Sequence, residues 1–315
     1  MPAVMEFTDE HLGAAADLFA ERYDAALERH PLLDRHADLV TAVGAVRAAA
    51  SHGWVALDGD RVVGYLLSRV DEHTTWVDLG GHAAADELTT RLLYAAASTT
   101  WVAARGLRHA VVLLTGDAVA EAAWSRLGFG QEHVFALGPV EPSRTTPPAD
   151  VDVRVAAGDA DLASLLDMCG IVGEHLSSAP AWSYRSPETA AALPDMFRAD
   201  YENPAVFDFI ASVDGVDVGF ASWEPMPPRL GVPADAVAFG HAAVRPGHRG
   251  RGVGAALDVA GRAWAIEHGA TVSWSDWRLS NMAAEPHWRT LGWTPYATKW
   301  TRQLPPELLA GNEAG

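Results

Sequence analysis

A chain of 315 residues exceeds one ordinary small domain and suits two of about 150 residues each. Its 49% hydrophobic and 20% charged residues are the make-up of a globular protein, and no apolar run reaches the ~18 residues of a membrane span. A formal charge of −18 argues against nucleic acid, whose phosphates call for a basic face, and suits a cationic amine drawn in by an acidic field.

At the start, Met1 to Glu10 carries Glu6, Asp9 and Glu10, with no basic stretch before an apolar core. It does not read as a signal peptide, and a cytoplasmic protein without membrane contact is expected. Asp9 to Arg29 has helical spacing, with Leu12, Ala16, Leu18, Phe19 and Tyr23 on one side. Trp54 to Tyr65 reads as a hairpin, two apolar runs around an Asp58-Gly59 turn. Gly138 to Pro148 is rich in proline and polar residues and reads as a linker.

The order then repeats. Asp159 to Cys169 has helical spacing, and its cysteine is the only one in the chain, so no internal disulfide forms and the thiol is expected to pack as a small hydrophobe. Phe209 to Phe220 reads as a second hairpin, around Asp214-Gly215. Val237 to Val244 is expected as a strand, Val253 to Glu267 as a helix, Ala270 to Trp274 as a strand and Asn281 to Thr290 as a helix. Asp117 to Phe129 and Asn281 to Trp293 share Asp/Asn, Ala, Glu, Trp, Leu, Gly and a closing aromatic at identical spacing. That agreement indicates an internal duplication. Thirteen histidines are scattered without His-Glu-x-x-His, so no metal is expected.

The chemistry concentrates between Arg245 and Ala255. An apolar strand ends at Val244, a loop containing Arg249-Gly250-Arg251-Gly252 follows, and an apolar helix opens at Val253. Amides at a helix N-terminus have no intrahelical partner and sit at the positive end of the helix dipole. Glycines let a phosphate approach that backbone, and Arg249 and Arg251 add charge-assisted donors. The pattern reads as an anion site suited to a diphosphate. Gly250, Gly252 and Ala255 also fit the dinucleotide fingerprint, yet too few strands follow for a long βαβ series. A P-loop is excluded because Lys299 is the only lysine.

Arg249-x-x-Gly252-x-Gly254 resembles the Arg/Gln-x-x-Gly-x-Gly/Ala loop of the GNAT superfamily of acyl-CoA N-acyltransferases. Asn281-x-x-Ala284-x-x-x-Trp288-x-x-x-Gly292-Trp293 resembles the family's second motif, and it follows Gly252 by 29 positions, room for a helix, a strand and a turn. The resemblance implies an α/β chain of two tandem GNAT-like domains, each a mixed, mostly antiparallel sheet flanked by helices. Residues 1–138 would be a degenerate copy, 139–150 a linker, 151–304 the catalytic domain and 305–315 a flexible tail.

It also implies acetyl-CoA as co-substrate and transfer to a primary amine of a small molecule by direct attack in a ternary complex. Ala242, Ala243 and Val244 would leave a splayed strand edge for the pantetheine arm. The amides of Arg249, Gly250, Arg251, Gly252, Val253, Gly254 and Ala255 would hold the pyrophosphate, and Asn281 would lie near the coenzyme. Glu224 and His241 are the candidate bases, with Asp276 a further carboxylate beyond the next strand. Position 288, where many relatives carry an acidic tyrosine, holds Trp288, whose indole does not titrate near neutral pH. The alternative is a non-catalytic acyl-CoA sensor or partner-binding module. In the first half, Trp76 to Leu88 stands where the loop should be. His82 to Asp117 spans 35 positions against 40 from His241 to Asn281, and Asp86 and Glu87 would repel a diphosphate.

Overall fold

The computed structural model describes residues 1–71, 73–143, 145–183 and 186–308. It divides into two compact units, Met1–Ala136 with the chain from Thr294, and Leu137–Trp293. Among the described residues no helix is long and apolar enough to cross a membrane.

In the first unit β1 (Ala3–Glu6) is followed by α1 (Leu12–Arg29) and α2 (Leu39–Ala49). The helix expected from Asp9 opens as a 3-10 turn over Asp9–His11, and Ala15, Ala16, Phe19, Tyr23 and Ala26 form its buried stripe. Strands β2 (His52–Asp58) and β3 (Arg61–Asp71) make the expected hairpin. Its two turn residues are Gly59 and Asp60, one place later than the sequence suggested, because Gly59 takes the positive φ of +62° that a tight hairpin needs. Then come β4 (Thr74–Val77), β5 (His82–Ala84), α3 (Glu87–Ala103), β6 (Arg108–Leu114), α4 (Ala118–Arg126) and β7 (Gly130–Pro139), whose end from Leu137 belongs to the second unit. Strand β4 runs parallel to β6, while β1–β2, β2–β3, β3–β4 and β3–β5 are antiparallel.

The second unit contains β8 (Val151–Val155), α5 (Gly158–Met168), α6 (Ile171–Leu176), α7 (Pro187–Glu202), β9 (Phe207–Val213), β10 (Val216–Pro225), β11 (Val237–Val244), α8 (Val253–Glu267), β12 (Val272–Arg278) and α9 (Ala284–Thr290). Its strand order is β12-β11-β10-β9-β8, with only β11 and β12 parallel. The hairpin expected around Asp214-Gly215 joins β9 to β10, and both residues have positive φ, +52° and +76°, as a type I′ turn requires. Helices α5 and α7 cover one face, where Leu165, Met168, Leu193 and Phe197 bury against Ile210 and Phe220. Cys169 packs in the same cluster.

The two segments that repeat in the sequence end in the same hydrogen bonds. Helix α4 ends with Gly128 N–H donating to Ser125 O and Phe129 N–H to Trp124 O. Helix α9 ends with Gly292 N–H donating to Arg289 O and Trp293 N–H to Trp288 O. Both are Schellman closures, with Gly128 and Gly292 at φ +84° and +87°.

The last strand departs from the boundary expected at residue 304. β13 (Thr294–Gln303) pairs antiparallel with β6 of the first unit, from Ala297 opposite Leu114 to Gln303 opposite Arg108. Trp300 is buried in the first unit's core with Leu93, Trp101 and Trp124, and Lys299 lies 3.6 Å from Glu132. The apolar core and this ion pair place the strand there. Of the expected tail, residues 309–315 lie outside the described residues, and Leu308 N–H still bonds Pro305 O. Trp300→Ala should remove about 3–5 kcal/mol from the first unit. Hydrogen exchange should then lose protection in β6 and α3 and keep it in β9, β10 and β11; loss confined to the second unit would contradict the placement.

Candidate functional site

Strands β11 and β12 begin as neighbours and part almost at once. Val237 pairs with Ser273 and Ala238 with Trp274, and among the described residues no further pair joins them. Beyond that point β11 keeps its other edge on β10, Ala242 opposite Ala221, Ala243 opposite Phe220 and Val244 opposite Gly219. A register shift between Ala221 and Trp223 puts an extra residue on β11 at Gly240 and His241. The bulge bends the strand and strengthens its twist. Ala242, Ala243 and Val244 therefore have one edge without a strand partner.

The loop after β11 delivers the chain to α8. Pro246–His248 is a 3-10 turn, and Gly250 and Gly252 take φ of +74° and +81°, where side chains are disfavoured. Helix α8 has no side-chain cap at Gly252. Among the described residues no acceptor pairs with the amides of Gly250, Arg251, Gly252, Val253, Gly254 or Ala255, while Arg249 N–H has a long bond to Pro246 O at 3.4 Å. Arg249 Nε donates to Val244 O at 3.1 Å, and Arg251 pairs with Asp150 at 3.2 Å. Pro148 packs on the loop, so that a Cβ at Gly252 would come within 2.5 Å of its ring.

Helix α8 is held by two close contacts. Arg262, 5% exposed, binds Asp258 at 2.8 Å and donates to Pro139 O and Leu291 O, which ties α8 to the end of α9. Gly261 lets the helix press on β10, since a Cβ there would stand 2.0 Å from Trp223 Nε1.

The opposite face of the sheet carries the candidate bases. His241 is exposed and stacks on Phe197 of α7 at 5.2 Å. Glu224 is half-buried; burial raises its pKa, Asp200 and Asp208 raise it further and His241 opposes them. Asp208, 7% exposed, accepts from Ser222 Oγ at 2.5 Å, and burial raises its pKa too. Asp200 and Asp208 escaped the sequence reading. Asp208 lies inside an apolar strand pattern, and only the β9–β10 register, Ser222 opposite Asp208, aligns it with Glu224. Asp276 is exposed on β12.

Trp288 is 8% exposed and packs on Phe239, Trp277 and Trp293, so it is a core residue. Asn281 precedes α9 without capping it: the helix starts at Ala284 with Ala283 at the cap. Asn281 Oδ1 accepts from Ala283 N–H at 3.3 Å and contacts His175 Nε2 at 3.2 Å. His287 faces the start of α8, its Nε2 3.4 Å from a Cβ placed on Gly254, and burial lowers its pKa. Neither histidine was singled out from sequence.

The matching place in the first unit is built differently. His82–Ala84 forms β5 on β3, and Asp86 Oδ1 accepts from Thr89 N–H at 2.7 Å, capping α3 with a carboxylate. His82 is buried against Trp124, and its pKa is lowered to about 4 by burial. A helix start already satisfied by an anion does not attract another.

Residues 174–293 match the acetyltransferase (GNAT) family. This segment is a GNAT-family domain. Similar solved structures span the chain. A GCN5-related N-acetyltransferase from Sphaerobacter thermophilus is 13% identical with a TM-score of 0.62, covering 97% of this chain and 96% of that one. A tandem GNAT protein from the clavulanic acid biosynthesis pathway is 16% identical with a TM-score of 0.54, covering 97% and 99%. A GNAT-family acetyltransferase from Colwellia psychrerythraea is 14% identical with a TM-score of 0.52, covering 96% and 100%. At these identities the likeness is one of fold, and it extends the GNAT-like architecture to both units. No curated protein matches the sequence.

Helix propensity favours alanine over glycine by about 1 kcal/mol, but the indole of Trp223 leaves Gly261 no room for a methyl. Gly261→Ala should therefore destabilise the GNAT domain by about 1–3 kcal/mol. Urea denaturation reads the change, and a stabilised variant would contradict the packing.

Proposed function

We propose that the second unit transfers an acetyl group from acetyl-CoA to a primary amine of a small molecule by direct attack in a ternary complex. The observation that carries this reading is the run of unpartnered amides from Gly250 to Ala255, beside a β11 edge released from β12. Those amides and the positive end of α8 suit the pyrophosphate, with Arg249 and Arg251 adding charge. The free edge at Ala242–Val244 offers backbone groups to the pantetheine arm and the acyl carbonyl. Asn281 stands on the other side of the opening, past the end of β12.

The reaction needs a neutral amine, a polarised carbonyl and a proton for the leaving thiolate. An ammonium approaching the α7 face meets Asp200, Asp208 and Glu224. Their negative field suits a cationic acceptor, and Glu224 or His241 takes its proton, directly or through water. Amine nitrogen then bonds to the acyl carbon and the C–S bond breaks; the nitrogen gives up its second proton, and the leaving thiolate takes up one in exchange. The buried indole of Trp288 does not supply that proton, which is the feature favouring the second reading, an acyl-CoA sensor without turnover. Acetyl-CoA titration followed by thiol release with a panel of amines separates the two. Binding without amine-dependent thiol favours the sensor.

Gly250 is the place to test the loop, because a Cβ there meets nothing within 4 Å, unlike Gly252 beneath Pro148. Asn and Asp tolerate positive φ comparably, so Gly250→Asn controls for backbone strain. Gly250→Asp should weaken acetyl-CoA binding about tenfold or more relative to Gly250→Asn, through repulsion of the diphosphate. Equal affinity of the two by calorimetry would remove the loop assignment.

As the base, Glu224 must first lose its proton. With its pKa raised above the ordinary 4.5, kcat/KM should climb with pH through a correspondingly raised acid limb. Asp200→Asn removes a neighbouring negative charge, so the limb should move to lower pH. A limb that stays in place would exclude Glu224.

A further inference from the structure

His175 lies on α6, outside both motifs, yet its ring touches a residue of each. Nε2 is 3.2 Å from Asn281 Oδ1 and Nδ1 is 3.5 Å from Arg249 Nη1. A guanidinium only donates and a carboxamide oxygen only accepts. One tautomer satisfies both, with Nδ1 accepting from Arg249 and Nε2–H donating to Asn281. The carboxamide orientation has its own support, since the same Oδ1 accepts from Ala283 N–H at 3.3 Å. Arg249 is anchored in turn through Nε to Val244 O at 3.1 Å.

These contacts form a continuous strap. It starts at Val244 on the end of β11, passes through Arg249 and His175, and closes on Asn281 and Ala283 beyond the end of β12. Paired strands are held about 4.8 Å apart by their ladder, but among the described residues β11 and β12 have no pair beyond Ala238 and Trp274. Their spacing at the open end must be set by side chains, and the strap crosses that end. We infer that His175 is a positioning residue that fixes the width of the cleft, so that the Gly250–Ala255 amides and Asn281 engage one acyl-CoA molecule together. This inference rests on the acyltransferase reading for its consequence, and on the hydrogen bonds alone for the strap.

The strap is read first in the protein without coenzyme. Ring nitrogen shifts of His175 should show a bare Nδ1 and a protonated Nε2 in the neutral form, and the opposite tautomer would overturn the strap whether or not the chain binds acetyl-CoA. The second measurement uses His175→Ala and His175→Gln. Glutamine keeps one donor and one acceptor, while alanine keeps neither. His175→Ala should raise the acetyl-CoA Kd and KM about tenfold, the scale of lost hydrogen bonds, with kcat changed less than about twofold. His175→Gln should recover most of the loss, and both variants should melt like the parent chain. A fall in kcat at unchanged KM, or no recovery by glutamine in a folded variant, would overturn the positioning role. Failure of the parent chain to bind acetyl-CoA would instead overturn the acyltransferase reading, leaving the strap to be judged by the ring shifts.

Discussion

The divergence of β11 from β12 is the constraint on which the rest of the second unit depends. Two parallel strands that pair at Val237 and Ala238 and then separate leave, among the described residues, one edge of β11 without a strand partner. An unpaired edge inside a domain is costly unless something polar can reach it. The loop that follows β11 leads directly to the uncapped start of α8. The bulge at Gly240 and His241 bends β11 away. Arg262 fixes α8 against the end of α9, so the helix start is held in place by a buried ion pair and two carbonyl contacts.

The two units share a local pattern and differ at one helix start. Helices α4 and α9 end in the same Schellman closure, with Trp124 and Trp288 at equivalent places and Phe129 and Trp293 packed on them. The difference lies at the start of the preceding helix. Asp86 caps α3 with its own carboxylate, whereas Gly252 leaves α8 bare and two arginines flank it. In the first unit the neighbouring volume is filled by His82 and by the edge-to-face packing of Tyr94, Trp124 and Phe129. One helix start is capped by its own carboxylate, and the other has no side-chain cap.

On the α7 face, Asp208 and Glu224 have no arginine or lysine among their principal influences. Glu224 and Asp208 feel Asp200 and each other's surroundings, and His241 is the opposing group. Burial is the largest influence on both carboxyls, so their tendency to hold a proton follows from where the strand register puts them. In the proposed reaction the same carboxylates would attract a cationic amine and take its proton.

Much of this was legible in the residues themselves. Helical spacing, the Asp214-Gly215 turn, the glycines that close α4 and α9, and the Arg249–Gly254 loop are local signals, because each depends on backbone sterics over a few residues. The family motifs gave the order of strand, loop, helix and second motif for the same reason. Three features were decided only in three dimensions. Strand β13 belongs with the first unit, since its partner β6 is remote in the chain and no local pattern records which sheet a strand will join. Asp208 reaches Glu224 only through cross-strand register. His175 meets Asn281 across 106 positions, and nothing near either residue announces the contact. Local sterics write themselves into sequence, whereas pairings between distant segments follow from which apolar faces bury one another, and that choice is made by the folded chain as a whole.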